Sequence, residues 1–148
     1  MSVLATIRPG AWDLPLFVHV LGAMVLVGAA ATGVRAAFVS EPAAATGWAA
    51  RFAYRTFLLA ALPAFVVMRV GAEWIRTKEF GSGTDPQFVT IGYSVADLGG
   101  VLLIVGIVLS WYALRRSRPR LTKAAAIAIG VALVGWLVAV WAMGAKPS

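Results

Sequence analysis

Four ionisable side chains of this chain lie within long apolar stretches: His19, Arg69, Glu73 and Asp97. An ionisable group in the hydrocarbon of a membrane costs at least a few kcal/mol unless it is paired or hydrated, so such residues often mark functional sites. Imidazole in general exchanges protons near neutral pH and also ligates iron. His19 could therefore transfer protons, contact a substrate or hold haem as an axial ligand. The alternative is a buried histidine that is satisfied by one hydrogen bond.

The other three groups divide into a pair and a single residue. Arg69 and Glu73 are four residues apart, next to Trp74, and so share one helical face. An ordinary ion pair whose side chains extend toward the lipid headgroups explains them. Asp97 lies near the middle of the longest apolar stretch, one turn after Tyr93. We expect Asp97 to face the bundle interior or water, in a functional role or paired with Arg69, and the alternative is a purely structural polar contact.

The residue types limit the cofactors that these groups could bind. His19 is the only histidine, and the chain has no cysteine. One chain therefore cannot supply bis-histidine haem ligation, a thiolate metal site or a CxxC redox pair. A metal ion at His19 would need carboxylates, methionines or a second subunit. We predict no metal site, and haem bound through His19 stays a hypothesis beside an unidentified cofactor.

The composition predicts which elements position these residues. Hydrophobic residues make up 61% of the chain and charged residues 13%, which is about half the charge of a usual soluble protein. A bilayer core needs roughly 20 helical residues, and four stretches are long enough. We predict an all-α fold, a single transmembrane four-helix up-down bundle over residues 1–148, with spans at about 14–34, 56–75, 88–114 and 124–143.

The distribution of Lys and Arg predicts the orientation. The loops after the first and third spans hold eight of the 13 basic residues, and five lie on the other side. By the positive-inside rule, both termini face outward and the basic hinge at 115–120 faces inward, in the inner membrane of a cell. This rule also accounts for the net charge of +7, so we predict no nucleic-acid binding. His19, Arg69, Glu73 and Asp97 then all lie in the outer half, where we expect a polar cavity.

Small residues predict where helices pack closely. Gly22 and Gly33 on the first span, and Gly99, Gly100 and Gly106 on the third, allow two backbones to approach each other. We therefore expect the first and third spans to form the closest pair. The alternative is that glycine is simply frequent in spanning helices.

Three segments carry a resemblance to known proteins: LFVHVLGAMVLVGAAATG, YRTFLLAALPAFVVMRVGAEWI and IGYSVADLGGVLLIVG. Together they resemble uncharacterised bacterial four-span integral membrane proteins, a resemblance that implies the fold and no activity. More distantly, a histidine in the first helix of a four-span bundle is similar to copper-resistance D-like proteins and to membrane-bound, haem-carrying protoporphyrinogen oxidases. In those families this histidine is taken to hold haem, and only His19 transfers to this chain.

Two classes of function remain open at this stage. In the first, the outer cavity binds a small ligand, namely a quinone, haem or a lipid head group. The candidate ligand-binding residues are His19, Arg69, Glu73, Tyr93 and Asp97, and a redox or proton-transfer enzyme is the sharper version of this hypothesis. In the second, the protein is a non-catalytic membrane scaffold or an accessory subunit of a larger complex. Its partners are the lipid bilayer and either further copies of itself or another membrane protein. A conducting pore is a weaker third hypothesis.

Overall fold

The computed structural model describes residues 13–39, 47–79 and 87–144, and every regular element in these ranges is a helix. The helices are α1 (Asp13–Val39), α2 (Trp48–Thr56), α3 (Leu62–Glu79), α4 (Gln87–Arg116) and α5 (Pro119–Gly144), and a π-helical turn, Phe57–Ala61, joins α2 to α3. Four stretches are long and apolar enough to cross a membrane: Leu14–Val39, Trp48–Lys78, Thr90–Arg116 and Pro119–Trp141. The expected all-helical fold with four spans is confirmed, and the chain has the form of a multi-pass membrane protein.

Each helix extends beyond the apolar stretch from which it was predicted. The second span begins at Trp48 instead of residue 56, and α1 continues to Val39 instead of residue 34. Hydropathy marks only the part of a helix that fits the hydrocarbon, whereas the backbone hydrogen bonds continue through polar residues at its ends. Residues 40–46, between α1 and α2, and residues 80–86, between α3 and α4, lie outside the described residues.

The second span changes its pitch immediately before a proline. Pro63 has no N–H to donate to the carbonyl four residues earlier, and its ring crowds that carbonyl. The chain responds with a wider turn, in which the N–H of Leu62 bonds to the carbonyl of Phe57. Phe57 is fully buried there, and its ring packs directly against Gly33 of α1.

The basic segment 115–120, predicted as a hinge, contains the end of α4 and the start of α5, and only Ser117 and Arg118 separate the two helices. Ser117 ends α4 with a positive φ of 49°. The N–H of Arg118 then bonds to the carbonyl of Ala113 at 3.0 Å, which closes the helix end in the manner usually associated with glycine. Pro119 begins α5, because the first helical position needs no N–H donor.

Helix packing differs from the pairing that the small residues predicted. α4 packs most extensively on α5, and α1 packs on α3 and then on α5. In the described ranges α1 and α4 are not a close pair, so the expected pairing of the first and third spans is wrong. Gly22 on α1 faces α3, and Gly99 and Gly106 on α4 face α5. Small residues marked close contacts correctly, but they could not identify the helix on the other side.

The interior is built largely from alanine, while the large aliphatic residues face outward. Phe57, Leu26, Leu103 and Ile129 are the largest fully buried side chains other than Pro15, and most other core positions are alanine. Alanine lets helices approach closely, and large apolar side chains on the exterior suit lipid. Because alanine side chains are small, they do not fill all of the space between the helices, and a hollow remains.

Candidate functional site

The hollow is a cavity of about 230 Å³ in the half of the bundle that carries His19, which we call the His19 half. Each of α1, α3, α4 and α5 contributes to its wall. The residues that matter for its chemistry are His19, Leu26, Met68, Arg69, Tyr93 and Trp136. The wall is mostly apolar, in contrast to the polar cavity expected from the sequence.

His19 is held by a hydrogen bond to the backbone of α3. Its Nδ1 lies 3.0 Å from the carbonyl oxygen of Met68. A carbonyl oxygen only accepts hydrogen bonds, so Nδ1 carries the proton and donates it. The other ring nitrogen, Nε2, then has a lone pair in the neutral imidazole and is the atom available for chemistry. The alternative of a buried histidine satisfied by one hydrogen bond is confirmed for the bond at Nδ1, whereas the side chain is only partly buried.

Two glycines bring α1 and α3 close enough for this bond. A Cβ at Gly22 would lie 2.6 Å from the backbone nitrogen of Met68, and one at Gly71 would lie 2.7 Å from that of His19. His19 and Gly22 are three residues apart, as are Met68 and Gly71, so the two helices interlock over one turn. The close contact at Gly71 could not be predicted from the sequence, because a single glycine beside charged residues does not form a small-residue motif.

Arg69 stands at the centre of an ion-pair network between α3 and α4. Its Nε lies 2.9 Å from Oδ1 of Asp97, and its Nη2 lies 3.3 Å from Oδ2. Nη1 lies 3.6 Å from Oε2 of Glu73, and Oε1 of Glu73 accepts a hydrogen bond from Nη1 of Arg76 at 2.8 Å. We call these four residues the charge quartet, and its two positive and two negative charges cancel. Both expected pairs of Arg69 are confirmed, whereas the part of Arg76 was not foreseen.

Of the two positions expected for Asp97, the bundle interior or water, the bundle interior is wrong. Its side chain is 58% exposed, and neither Asp97 nor Glu73 lines the cavity. Gly99, two residues later, faces Trp136 of α5, and two residues rotate a helix by about 200°. Asp97 therefore points away from α5, and Arg69, which is only 28% exposed, meets it at the surface between α3 and α4.

Tyr93 links the charge quartet to the cavity. Its ring centroid lies 4.2 Å from Cζ of Arg69, a cation–π distance. Its hydroxyl is buried and makes no short hydrogen bond to a described residue, but the carboxylate of Glu73 is close enough to interact with it. Tyr93 thus places a buried hydroxyl, which also interacts with Glu73, beside an apolar cavity.

Trp136 provides a second polar atom of this kind and was missed in the sequence. It is 6% exposed, its ring stacks on Phe65 with centroids 6.0 Å apart, and its Nε1 has no hydrogen-bond acceptor among the described residues. Tryptophan in a membrane protein is expected at the interface. Its position well inside the last apolar stretch was the one available signal.

The site does not fit a metal ion or haem. In the described ranges no three His, Asp or Glu residues come together to hold a metal. His19 has the geometry of an axial ligand, since Nδ1 bonds to a backbone carbonyl and leaves Nε2 available. However, sites for drug-sized ligands measure about 300–1,000 Å³, and the 230 Å³ here is too small for a porphyrin.

Comparison with known proteins gives no match for this chain: no family model, no curated protein and no solved structure matches it. The chemistry of the site therefore has to be interpreted from its own geometry.

Proposed function

We propose that this protein binds a small, neutral, lipophilic ligand in the cavity of the His19 half, and that a quinone head group is the ligand class that fits best. The observation that carries the proposal is the mostly apolar cavity beside a histidine whose Nδ1 is fixed by the Met68 carbonyl. Size, charge and hydrogen bonding each support one part of it.

Charge separates a neutral ligand from an anionic lipid head group. The two arginines that line the cavity, Arg69 and Arg76, are already paired with Asp97 and Glu73. The charge quartet is neutral as a whole, so it offers little net attraction to a phosphate. A volume of 230 Å³ suits one ring-sized group.

Hydrogen bonding favours a ring that carries oxygen atoms. Tyr93 contributes a buried hydroxyl to the wall, and Nε2 of His19 accepts a hydrogen bond in the neutral imidazole. A quinone carbonyl only accepts hydrogen bonds, so Nε2 can bond only to the reduced, quinol form of the head group, whose hydroxyls donate. One quinol hydroxyl would donate to Nε2 of His19, and the hydroxyl of Tyr93 would donate to the other quinol oxygen.

We place the chain in a bacterial inner membrane as an up-down bundle with both termini outside, so that the His19 half lies in the outer leaflet. The excess of Lys and Arg in the loops after the first and third spans supports this orientation. The contacts of Gly71 with His19 and of Gly33 with Phe57 support opposite directions for the first two spans.

Titration of the purified protein with duroquinol under anaerobic conditions, followed by tryptophan fluorescence, tests the ligand. We expect saturable quenching that weakens about tenfold in His19→Ala, the loss of one hydrogen bond of about 1.4 kcal/mol. Tyr93→Phe should weaken it similarly. Met24→Ala is the matched control, since Met24 is on the same helix and is 69% exposed.

Quenching that does not saturate, or that is equal in His19→Ala and Met24→Ala, would contradict the proposal. A Soret band that co-purifies with the protein and is lost in His19→Ala would replace the quinone by haem.

A non-catalytic scaffold or accessory subunit is the second candidate, and one observation favours it. The carboxylate of Asp97 is exposed at membrane depth, which suits contact with another protein. A partner of fixed stoichiometry that co-purifies, together with no binding of duroquinol, would favour this function.

A further inference from the structure

The outward surface between α3 and α4 is polar inside the apolar spans. Asp97 is 58% and Glu73 46% exposed. Around them are exposed hydroxyl residues, so that the surface, which we call the polar seam, consists of Arg69, Glu73, Thr77, Thr90, Ser94 and Asp97. From Leu98 to Val108 every exposed residue of α4 is apolar, for example Leu98 and Val101. The polar seam is therefore confined to the His19 half.

Lipid is a poor environment for this surface because of the carboxylates. The hydroxyls of Ser94 and Thr77 already bond to carbonyls of their own helices, at 2.9 Å and 3.0 Å. The two carboxylates have further lone pairs beyond those that the arginines use, and these would face hydrocarbon. α3 and α4 pack little on each other, so no part of either helix covers the seam.

We propose that the polar seam is the interface with a second copy of this chain. Arg69 on α3 and Asp97 on α4 are bonded to each other, so they lie at one height on opposite sides of the seam. Two copies inserted in the same direction are related by a twofold axis along the membrane normal. Rotation about this axis exchanges the two sides and places Arg69 of each copy opposite Asp97 of the other.

The seam is thus complementary to itself, as the interface of a twofold dimer must be. The Asp97 carboxylate of each copy, which pairs with Arg69 of its own chain, gains Arg69 of the other copy as a second cation, without any further component. A different protein would have to supply both charges at the same height. The proposal depends on the charge quartet and not on a ligand in the cavity.

Cross-linking tests the interface directly because the chain has no cysteine. With Ser94→Cys, a short bis-maleimide added to native membranes should give a covalent species of twice 15.6 kDa. Val138→Cys is the control, because Val138 is 56% exposed and lies at a similar depth in the bundle. It is six residues before the end of α5, and Ser94 is seven residues after the start of α4. Val138→Cys should give no dimer.

Asp97→Asn should weaken dimerisation about tenfold in lipid nanodiscs, since two symmetric polar contacts of average strength are reduced. If Asp97→Asn does not fold, Thr77→Cys gives an independent second cross-linking position on α3. A monomer with Ser94→Cys and Thr77→Cys, or equal cross-linking of Val138→Cys, would overturn the proposal. An adduct of another mass would overturn it in favour of a different protein partner.

Discussion

Replacement of Gly71 by alanine would separate α1 from α3 at the point where His19 is held. The new Cβ would lie 2.7 Å from the backbone nitrogen of His19, 2.8 Å from its Cα and 2.9 Å from its Cβ. None of these atoms is the end of a flexible side chain, so the helices themselves must move. Ordinary contact begins at 3.4 Å, which requires a shift of about 0.7 Å.

The consequence for the histidine follows from the same distances. A shift of that size takes the Nδ1 to oxygen distance from 3.0 Å to about 3.7 Å, beyond hydrogen-bonding range. Overpacking costs about 1–3 kcal/mol, and the lost hydrogen bond about 0.5–1.5 kcal/mol. The better helix propensity of alanine returns about 1 kcal/mol. We expect Gly71→Ala to lower the free energy of unfolding by about 1–3 kcal/mol.

Denaturant titration in mixed micelles measures this change. Gly28→Ala is the matched control on α1, because no atom lies within 4 Å of the Cβ position at Gly28. It should be neutral or stabilising by up to about 1 kcal/mol. Equal stability of Gly71→Ala and Gly28→Ala would refute the close approach of the helices, and with it the reason for the position of His19.

Three further substitutions test other parts of the structure. Ser117→Gly should stabilise the protein by about 1 kcal/mol in the same titration, because glycine adopts the φ of 49° without steric cost. Arg69→Gln and Asp97→Asn, combined in a double-mutant cycle, should show a coupling of about 0.6–1.7 kcal/mol. Gly33→Ala should destabilise by about 1–3 kcal/mol through its clash with the ring of Phe57, and Phe57→Leu should relieve part of that loss.

Each of these predictions has an outcome that would contradict it. A less stable Ser117→Gly protein would mean that α4 does not end in the left-handed conformation. Additive effects of the Arg69 and Asp97 substitutions would mean that the two side chains do not interact in the membrane. A stable Gly33→Ala protein would mean that the π-helical turn does not press Phe57 onto α1. Gly130→Ala is a neutral control for that measurement, as its Cβ would meet open space.

The sequence predicted the membrane spans well because the hydrocarbon thickness sets their length and apolar character directly. The pairing of Arg69 with Glu73 was also accessible, since residues four apart share a helical face. The pairing of Arg69 with Asp97 followed from the high cost of a lone charge in a membrane. These predictions depend on the spacing of residues along the chain or on the cost of a charge in the membrane, and both can be evaluated from the sequence.

The outward position of Asp97 was not accessible in the same way. A single carboxylate in an apolar span must be neutralised, but this can occur inside the bundle or at its surface. The choice depends on the rotation of α4, which Trp136 and Phe65 set by packing on Gly99 and Gly100. Helix partners were missed for the same reason: a glycine indicates a close contact without naming the neighbour.

The most direct test of the ligand site is the ¹⁵N chemical shift of the one imidazole in the chain. We expect Nδ1 of His19 to be protonated and Nε2 to have a lone pair in the neutral form, as the bond to the Met68 carbonyl requires. Duroquinol, whose hydroxyl donates a hydrogen bond, should then shift the Nε2 signal saturably and leave Nδ1 nearly unchanged. A proton on Nε2 with a bare Nδ1, or an Nε2 signal that does not respond to duroquinol, would contradict the proposed site.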